Sequence, residues 1–285
     1  MLKACLALLK KGARYEVSKF REAGVPEQIE LNWDAISKAI RDVADFVREK
    51  TFIKCDQALP SYLLLVPLIY LRYHFPKAWK NAREVETYLV RCALAGAFSG
   101  KPDQLIDMMT RRLDEIQAFD LNEVFGVVRS EGRSLELTED RFWANGYGSD
   151  TIHLLFNLWY SFNYTPAYEG NLPQVDHVFP QSLLRKVKIA NPNTGALNIM
   201  RYREAERNQL ANCMLLRAGE NGSGGKWDSP PKEWFSDKPD SYLEEHLIPR
   251  DKTLWELEHF EEFIEARKQL IRAKFRNLLV PSGAV

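Results

Sequence analysis

Apolar residues recur at steps of three and four along about the first 160 residues, which is the period of an amphipathic helix. Asn32, a residue type favoured at helix N-caps, precedes the clearest of these stripes. Its apolar positions are Trp33, Ile36, Ile40, Val43, Phe46 and Val47. Further stripes start at Val85 and Leu105, and a fourth covers residues 152–162. The pattern therefore predicts that this part of the chain is mostly helical.

The most apolar run of the chain is LPSYLLLVPLIYL at residues 59–71. It is shorter than the roughly 20 residues that a membrane-spanning helix needs, and Pro67 interrupts it. We therefore predict a buried kinked helix or a pair of helices here. His74 and His153 lie in apolar surroundings, which is typical of structural histidines.

The pattern changes near residue 163, where proline and glycine become frequent. Two short stretches with strand-like alternation follow, QVDHVF at 174–179 and NCMLLR at 212–217, and a long loop containing ANPNTGALN at 190–198 separates them. An amphipathic helix with apolar positions from Leu254 to Phe275 follows near the end of the sequence. The pattern predicts a mainly α protein with a helical domain over 1–165, a small mixed module over 166–250, and a C-terminal helix over 251–285 that packs back on the module.

Composition limits the classes of function. The 285 residues carry 39 basic and 39 acidic side chains, so no global positive field attracts nucleic acid, and any such site must rest on a local patch. The four cysteines are widely scattered, which argues against a zinc ribbon. Reduced thiols and a cytoplasmic location are therefore expected.

An acid and a histidine stand side by side at Asp176 and His177, in the stretch QVDHVFPQSLL. Asn212 and Asn221 follow, and then Lys226 in a glycine-rich turn. Hydrolysis of a phosphodiester needs a base that takes a proton from water near neutral pH, which imidazole does, and a divalent cation that offsets phosphate charge. Mg²⁺ prefers oxygen ligands and needs only one or two from the protein, so Asp176 and Asn221 are candidate ligands.

These residues resemble the motifs of HNH, or ββα-metal, nucleases: DHVFPQS, Asn212 within LANCMLL, and Asn221 within ENGSGGK. The resemblance implies a ββα-metal fold in which His177 is the general base, while Asp176 and Asn221 hold one Mg²⁺ or Mn²⁺ ion. It also implies that Asn212, the middle asparagine, supports the histidine loop. His177 and Asn212 are 35 residues apart, more than in compact members of the family, which implies an insertion.

Over most of the chain, the order of these motifs resembles the C-terminal half of GmrSD-type restriction endonucleases. In that family an N-terminal, ParB-like nucleotide-hydrolysing domain precedes a helical region and an HNH domain. The Gln-Gln-Arg-type motif of the N-terminal domain is absent from this sequence, so nucleotide hydrolysis cannot be carried over. The resemblance implies DNA as a partner, an upstream nucleotide-hydrolysing domain or subunit as a further one, and no membrane.

A local positive patch is predicted beside the acid–histidine pair. No acidic residue occurs between His177 and Arg203. The same stretch holds Arg185, Lys186, Lys188, Arg201 and Arg203. Such cations would position a phosphate backbone without reading its sequence, and Lys226 is a further candidate for a phosphate contact. The alternative is a solvated basic loop that binds no nucleic acid.

Two points stay open at the level of sequence. Asn208 is an alternative to Asn212 as the middle asparagine, and Asn221 is also compatible with a plain turn, because Asn-Gly is a frequent turn signal. The predicted function is a metal-dependent DNA endonuclease of a restriction or defence system that acts on foreign or modified DNA. The alternative is a non-catalytic nucleic-acid-binding or assembly subunit of a multi-domain restriction complex.

Overall fold

The chain folds into two compact units, residues Met1–Leu137 and Thr138–Val285. The structure is a computed structural model that describes residues 1–160, 174–220 and 225–280. The predicted metal ligand Asn221 lies outside the described residues. The units divide ahead of the predicted boundary at residue 165, because the last helix before residue 161 packs in the second unit: Trp159 Nε1 donates a hydrogen bond to the carbonyl oxygen of Glu245 over 3.0 Å.

The first unit is helical, as the sequence predicts. Its helices are α1 (Leu2–Leu8), α2 (Val17–Phe20), α3 (Val25–Leu31), α4 (Trp33–Lys50), α5 (Val66–His74), α6 (Pro76–Asn81), α7 (Val85–Leu94), α8 (Pro102–Ile116) and α9 (Leu121–Ser130). Helix α5 is the centre of the unit, because it packs against α1, α4 and α8. The predicted apolar run 59–71 forms a 3-10 turn at Tyr62–Leu65 that leads into α5. Pro67 lies in the first turn of α5, where its missing N–H removes no helical hydrogen bond.

Two details of α4 differ from the prediction. Asn32 precedes the helix, but its side chain donates to the carbonyl oxygen of Gln28 over 2.8 Å and makes no cap hydrogen bond. Trp33, predicted in the buried stripe, is 42% exposed, whereas Ile36, Val43 and Val47 are buried. The stripe therefore begins one turn later than expected. No helix in the described part of the chain is long and apolar enough to cross a membrane.

The second unit combines short helices with short strands. Its helices are α10 (Glu139–Trp143), α11 (Ile152–Tyr160), α12 (Gln181–Leu184), α13 (Glu204–Asn208), α14 (Pro231–Trp234), α15 (Asp240–Glu245) and α16 (Phe260–Phe275). The strands of the chain are β1 (Leu137–Thr138), β2 (Gln174–His177), β3 (Lys188–Ala190), β4 (Leu197–Met200), β5 (Cys213–Leu216) and β6 (Leu279–Val280). The chain is thus mainly α, as predicted.

Strands β2 and β5 form an antiparallel pair that carries the acid–histidine motif. Gln174 lies opposite Leu216, and His177 lies opposite Cys213, so β2 occupies the first four residues of the strand-like stretch 174–179 and ends at His177. Strand β5 is buried along its whole length. The pair therefore fixes the end of β2 against the core of the unit.

The region predicted as one long loop contains a β-ribbon, two short strands joined by a turn. Strands β3 and β4 pair antiparallel, with Ile189 opposite Ile199. Between them, Asn191 Oδ1 accepts a hydrogen bond from the backbone of Asn193, and Gly195 has a φ of +72°, as a tight turn requires. The prediction was wrong because turn residues such as Asn191 and Gly195 form a short turn between two strands and not a longer irregular segment.

The C-terminal helix begins later than predicted. Residues Lys252–Trp255 and Leu257–His259 are 3-10 turns, and α16 starts at Phe260. Asp251 Oδ1 accepts a hydrogen bond from Thr253 N over 3.0 Å, which favours a turn at this point. Helix α16 buries an apolar face in the second unit, together with the guanidinium of Arg267.

Candidate active site

The imidazole of His177 is held by two amide side chains. Its Nε2 lies 3.0 Å from Oδ1 of Asn208, the last residue of α13, and Gln181 Nε2 donates to the same Oδ1 over 2.8 Å. A carboxamide oxygen has two lone pairs, so Oδ1 can accept from both groups. Gln181 Nε2 also lies 3.2 Å from His177 Nε2, so the contacts at this nitrogen depend on the tautomer. The Asn208 contact is a hydrogen bond in the tautomer with the proton on Nε2, and in that tautomer Nδ1 keeps its lone pair and makes no hydrogen bond to the described part of the chain.

The environment of His177 keeps the imidazole neutral. Burial lowers its pKa below the ordinary value of 6.5, and the cations Lys226 and Arg185 lower it further. The hydrogen bond to Asn208 and the charge of Asp176 oppose this shift without reversing it. A neutral imidazole with a free lone pair is a proton acceptor at neutral pH.

A backbone segment that sequence reasoning missed packs over this imidazole. The ring of Tyr147 lies 4.4 Å from the ring of His177, and Tyr147 N donates to the carbonyl oxygen of Asn208 over 2.8 Å. A Cβ atom on Gly146 would come within 2.3 Å of the same carbonyl oxygen. Only glycine allows the segment to approach this closely. Tyr147 is 45% exposed and therefore forms part of the surface beside the imidazole.

Asn212 fixes the turn that follows His177. Its buried Oδ1 accepts from Phe179 N over 2.9 Å, and its Nδ2 donates to the carbonyl oxygens of Phe179 and Arg207 over 3.1 and 2.8 Å. The Asn212 carbonyl oxygen also accepts from Val178 N over 2.7 Å. Asn212 thus contacts the backbone after the histidine, and Asn208 contacts the histidine ring. The two candidates for a middle asparagine hold different parts of the same motif.

Arg267 of α16 braces the segment that contains Asn212. It is fully buried, and Nη1 donates to the carbonyl oxygens of Ala211 and Cys213 over 2.9 and 2.8 Å. Its other nitrogens donate to the carbonyl oxygens of His246 and Leu247. Burial lowers the pKa of Arg267 to about 10, so the guanidinium stays protonated at neutral pH. It therefore satisfies backbone acceptors on both sides of Asn212.

Asp176 and Lys226 form a partly buried ion pair beside the histidine. Lys226 Nζ lies 3.2 Å from Asp176 Oδ2 and donates to the carbonyl oxygen of His177 over 2.5 Å. The side chain of Lys226 is fully buried, and burial lowers its pKa. Its ammonium, predicted to contact phosphate, is thus directed at two groups of the protein. Among the described residues, Asp176 Oδ2 has no well-aligned hydrogen-bond donor although it is buried.

These groups offer one oxygen position for a divalent metal. No cluster of three or more His, Cys, Asp or Glu side chains suited to a metal occurs in residues 1–160, 174–220 and 225–280. Mg²⁺ needs only one or two protein ligands, and the poorly hydrogen-bonded carboxylate oxygen of Asp176 fits that requirement. The ammonium of Lys226 competes for the same oxygen.

The predicted basic residues lie on the surface of the second unit. All five are exposed: Arg185, Lys186, Lys188, Arg201 and Arg203. Arg185 Nη2 donates to Gln181 Oε1 over 2.7 Å and so reaches the amide network around His177. Arg201 pairs with Glu261 over 2.9 Å. The remaining three have no ion-pair partner among the described residues.

The second unit matches a known family. The family model described as GmrSD restriction endonucleases, C-terminal domain, matches residues 134–274. No curated protein and no solved structure matches the chain. The matched region contains the acid–histidine motif, both candidate middle asparagines, Tyr147 and Lys226.

Proposed function

Since residues 134–274 belong to the family of GmrSD restriction endonuclease C-terminal domains, we propose that this chain is a metal-dependent DNA endonuclease with His177 as its general base. The observation that carries the proposal is the contact of Asn208 Oδ1 with His177 Nε2. With the proton on Nε2, Nδ1 has a lone pair that no described residue engages, on an imidazole whose pKa is lowered, which suits a proton acceptor.

The mechanism begins with a water molecule between Nδ1 and a phosphodiester. Nδ1 of His177 takes a proton from this water, whose oxygen attacks phosphorus in line with the departing 3′ oxygen. The bond from phosphorus to the 3′ oxygen breaks, the departing 3′ oxygen takes a proton from solvent water, and the products are a 5′ phosphate and a 3′ hydroxyl. The imidazolium that forms keeps its hydrogen bond to Asn208 and is stabilised by the charge of Asp176.

Asp176 is the described residue that would hold Mg²⁺ or Mn²⁺, and Asn221, outside the described residues, is the second proposed ligand. When bound, the ion supplies positive charge that offsets the charge on the phosphate and on the leaving 3′ oxygen. Asn212 acts as a positioning residue, because it fixes the backbone of the turn after His177.

The biological setting follows from the family. We propose that the substrate is foreign or modified DNA and that an upstream nucleotide-hydrolysing domain or subunit acts with this chain. Arg185, Lys186, Lys188, Arg201 and Arg203 would contact the phosphate backbone of that DNA. Lys226 is assigned an internal role, because its ammonium binds Asp176 and the His177 carbonyl oxygen.

A second candidate function is a non-catalytic nucleic-acid-binding or assembly subunit. The ion pair of Lys226 with Asp176 favours it, because a fixed ammonium lies where a divalent ion would bind. Under this alternative the acid–histidine motif is a structural remnant. The two functions differ in whether the protein breaks phosphodiester bonds.

Nicking of supercoiled plasmid with Mg²⁺ or Mn²⁺ tests the proposal. We expect the parent protein to nick the plasmid and EDTA to stop the reaction. His177→Ala should lower the rate by about 100-fold or more, in line with the loss of a general base. His259→Ala, at a half-exposed imidazole in the same unit, is the matched control and should leave the rate unchanged. Equal rates for His177→Ala and the parent would contradict the role of His177. DNA binding without cleavage by the parent would support the second candidate.

A further inference from the structure

The β3–β4 ribbon presents an apolar face to solvent. All residues of both strands are exposed, with Ile189, Leu197 and Ile199 at 44%, 72% and 37%. Ile189 pairs with Ile199, so these two side chains share one face. A register shift follows Ile189, and Leu197 pairs with the next residue, Ala190, so Leu197 lies on the other face of the ribbon. Clustered apolar side chains on an uncovered ribbon are typical of a binding surface.

The edge of this face is positively charged. Lys188 is the first residue of β3, Lys186 and Arg203 lie just outside the two strands, and none of the three has an ion-pair partner in the described part of the chain. No acidic residue lies between His177 and Arg203. Apposition of two such faces in a dimer would bring like charges together, which is unfavourable. A duplex nucleic acid offers a complementary surface, with anionic phosphates around a groove floor of base edges and thymine methyl groups.

The ribbon is joined at both ends to the groups that hold the imidazole. It follows α12, whose first residue, Gln181, contacts Asn208, and it leads into α13, which ends at Asn208 itself. Arg201 N donates to the Val187 carbonyl oxygen over 3.0 Å and closes the base of the ribbon. From this base to the turn the ribbon extends for about 15–20 Å, at roughly 3.3 Å per strand residue. It is therefore long enough to enter the major groove, which is about 12 Å wide.

We propose that the β3–β4 ribbon enters the major groove of duplex DNA beside the bond that is cleaved. Ile189 and Ile199 lie against base edges and thymine methyl groups, while the nearby cations contact phosphates. The contact positions the scissile phosphate relative to His177, because both ends of the ribbon lead to its amide partners. The inference rests on the proposed nuclease function and specifies which surface of the protein binds the substrate.

The experiment uses the full chain with His177→Ala, without divalent metal, so that duplex DNA is bound and not cut. One variant replaces Ile189 and Ile199 with threonine, which keeps the propensity for strand structure. A second replaces Lys186, Lys188 and Arg203 with glutamine. Matched controls on α16 are Leu270→Gln, at another exposed apolar residue, and Lys274→Gln, at another exposed cation. Circular dichroism confirms that each variant is folded.

Affinity, its salt dependence and methylation by dimethyl sulfate are measured on the same duplex. We expect the threonine variant to bind about tenfold more weakly, because apolar side chains are no longer removed from water. We expect the glutamine variant to lower the slope of log Kd against log salt by about one for each cation removed. The two control variants should bind as tightly as the His177→Ala protein without further changes. The parent should protect guanine N7, which faces the major groove, and leave adenine N3, which faces the minor groove, reactive.

Two further results separate this inference from the proposed function. A parent that cleaves plasmid, together with ribbon variants that bind like the parent, overturns the ribbon assignment and leaves the nuclease in place. Protection of adenine N3 alone also overturns it. If the DNA is bound through the ribbon but the chain that keeps His177 never cleaves it, this inference is supported and the nuclease function is contradicted. Absence of any duplex binding by the parent overturns both.

Discussion

Asn208 Oδ1 lies 3.0 Å from Nε2 of His177, although 31 residues separate the two in sequence. The contact is a hydrogen bond when Nε2 carries the imidazole proton, and Nδ1 is then the nitrogen that can act as a base. Gln181 donates to the same oxygen over 2.8 Å and restrains the carboxamide from the other side. The chemistry proposed for the histidine thus depends on a residue of the helix that follows the ribbon.

Asn208→Ala removes the hydrogen-bond acceptor at Nε2, so the ring loses its fixed tautomer and orientation. We expect kcat for plasmid nicking to fall by about 10- to 100-fold, as for other residues that orient an active group, with a much smaller change in KM. Asn277→Ala, at an exposed asparagine of the same unit, is the control and should leave both constants unchanged. If Asn277→Ala changed kcat and KM as much as Asn208→Ala does, the positioning role of Asn208 would be contradicted.

Asn208→Asp should shift the pH dependence of cleavage. In the parent, burial lowers the pKa of His177 below 6.5. Because the base must be neutral, kcat/KM should rise as pH increases through that pKa and stay high above it. A carboxylate at position 208 faces Nε2, stabilises the imidazolium and raises the pKa, so the rising limb should move to higher pH by about one unit. A limb that stays in place or moves to lower pH would contradict the contact.

The sequence predicts β2 and draws attention to His177 because strand alternation and the acid–histidine pair are both local signals. The resemblance to HNH motifs also points to Asn212. Asn208 was considered only as a competitor of Asn212, because spacing alone cannot show that one residue contacts the ring and the other the backbone. Tyr147 carries no local signal, since its position over His177 arises only from the packing of Gly146 against Asn208.

The contacts of Lys226 and the presence of the ribbon also could not be predicted from the sequence. A lysine in a glycine-rich segment reads as a solvated cation, but its contacts with Asp176 and the His177 carbonyl depend on how the chain returns to β2. The ribbon strands are only three and four residues long, and their apolar residues face solvent. Strand patterns are recognised from burial on one face, so an exposed ribbon gives a weak signal.

Gly146→Ala should disturb the site from outside the motif. The added methyl group would come within 2.3 Å of the Asn208 carbonyl oxygen, so the segment carrying Tyr147 must move away. We expect a loss of about 1–3 kcal/mol in the free energy of unfolding and a lower kcat. The control is Gly126→Ala within α9, where a Cβ meets no atom within 4 Å. That variant should gain about 0.5–1 kcal/mol from helix propensity, and equal effects of the two substitutions on unfolding by urea would contradict the packing argument.

Arg267→Met should destabilise the second unit strongly. The substitution leaves four backbone carbonyl oxygens without their buried donor, two of them next to Asn212. We expect the free energy of unfolding to fall by about 3 kcal/mol or more, measured with urea. Arg272→Met on the same helix is the control, because its partner Glu139 is reached at the surface, and it should cost less than about 1 kcal/mol. Similar midpoints for the two variants would show that the buried hydrogen bonds contribute little.

His246 makes the second unit sensitive to acid. Its Nδ1 lies 2.7 Å from the hydroxyl of Tyr160, its Nε2 is buried without a partner among the described residues, and only 1% of the residue is exposed. Burial, with the nearby charges of Arg267, Arg217 and Lys238, lowers its pKa to about 3 from the ordinary 6.5. The unfolded chain therefore binds a proton between these two values and the folded chain does not.

The sign of the effect follows from this difference. Above pH 6.5 both states are neutral at His246 and stability is unaffected, whereas each unit of pH below 6.5 favours the unfolded state by about 1.4 kcal/mol until the folded residue is protonated near pH 3. At pH 5 this amounts to about 2 kcal/mol. We expect His246→Phe to remove that part of the difference in unfolding free energy between pH 7.5 and pH 5, measured with urea. His259→Phe, at a half-exposed histidine, should keep the full difference, and a parent-like pH dependence in His246→Phe would show that the acid sensitivity arises elsewhere.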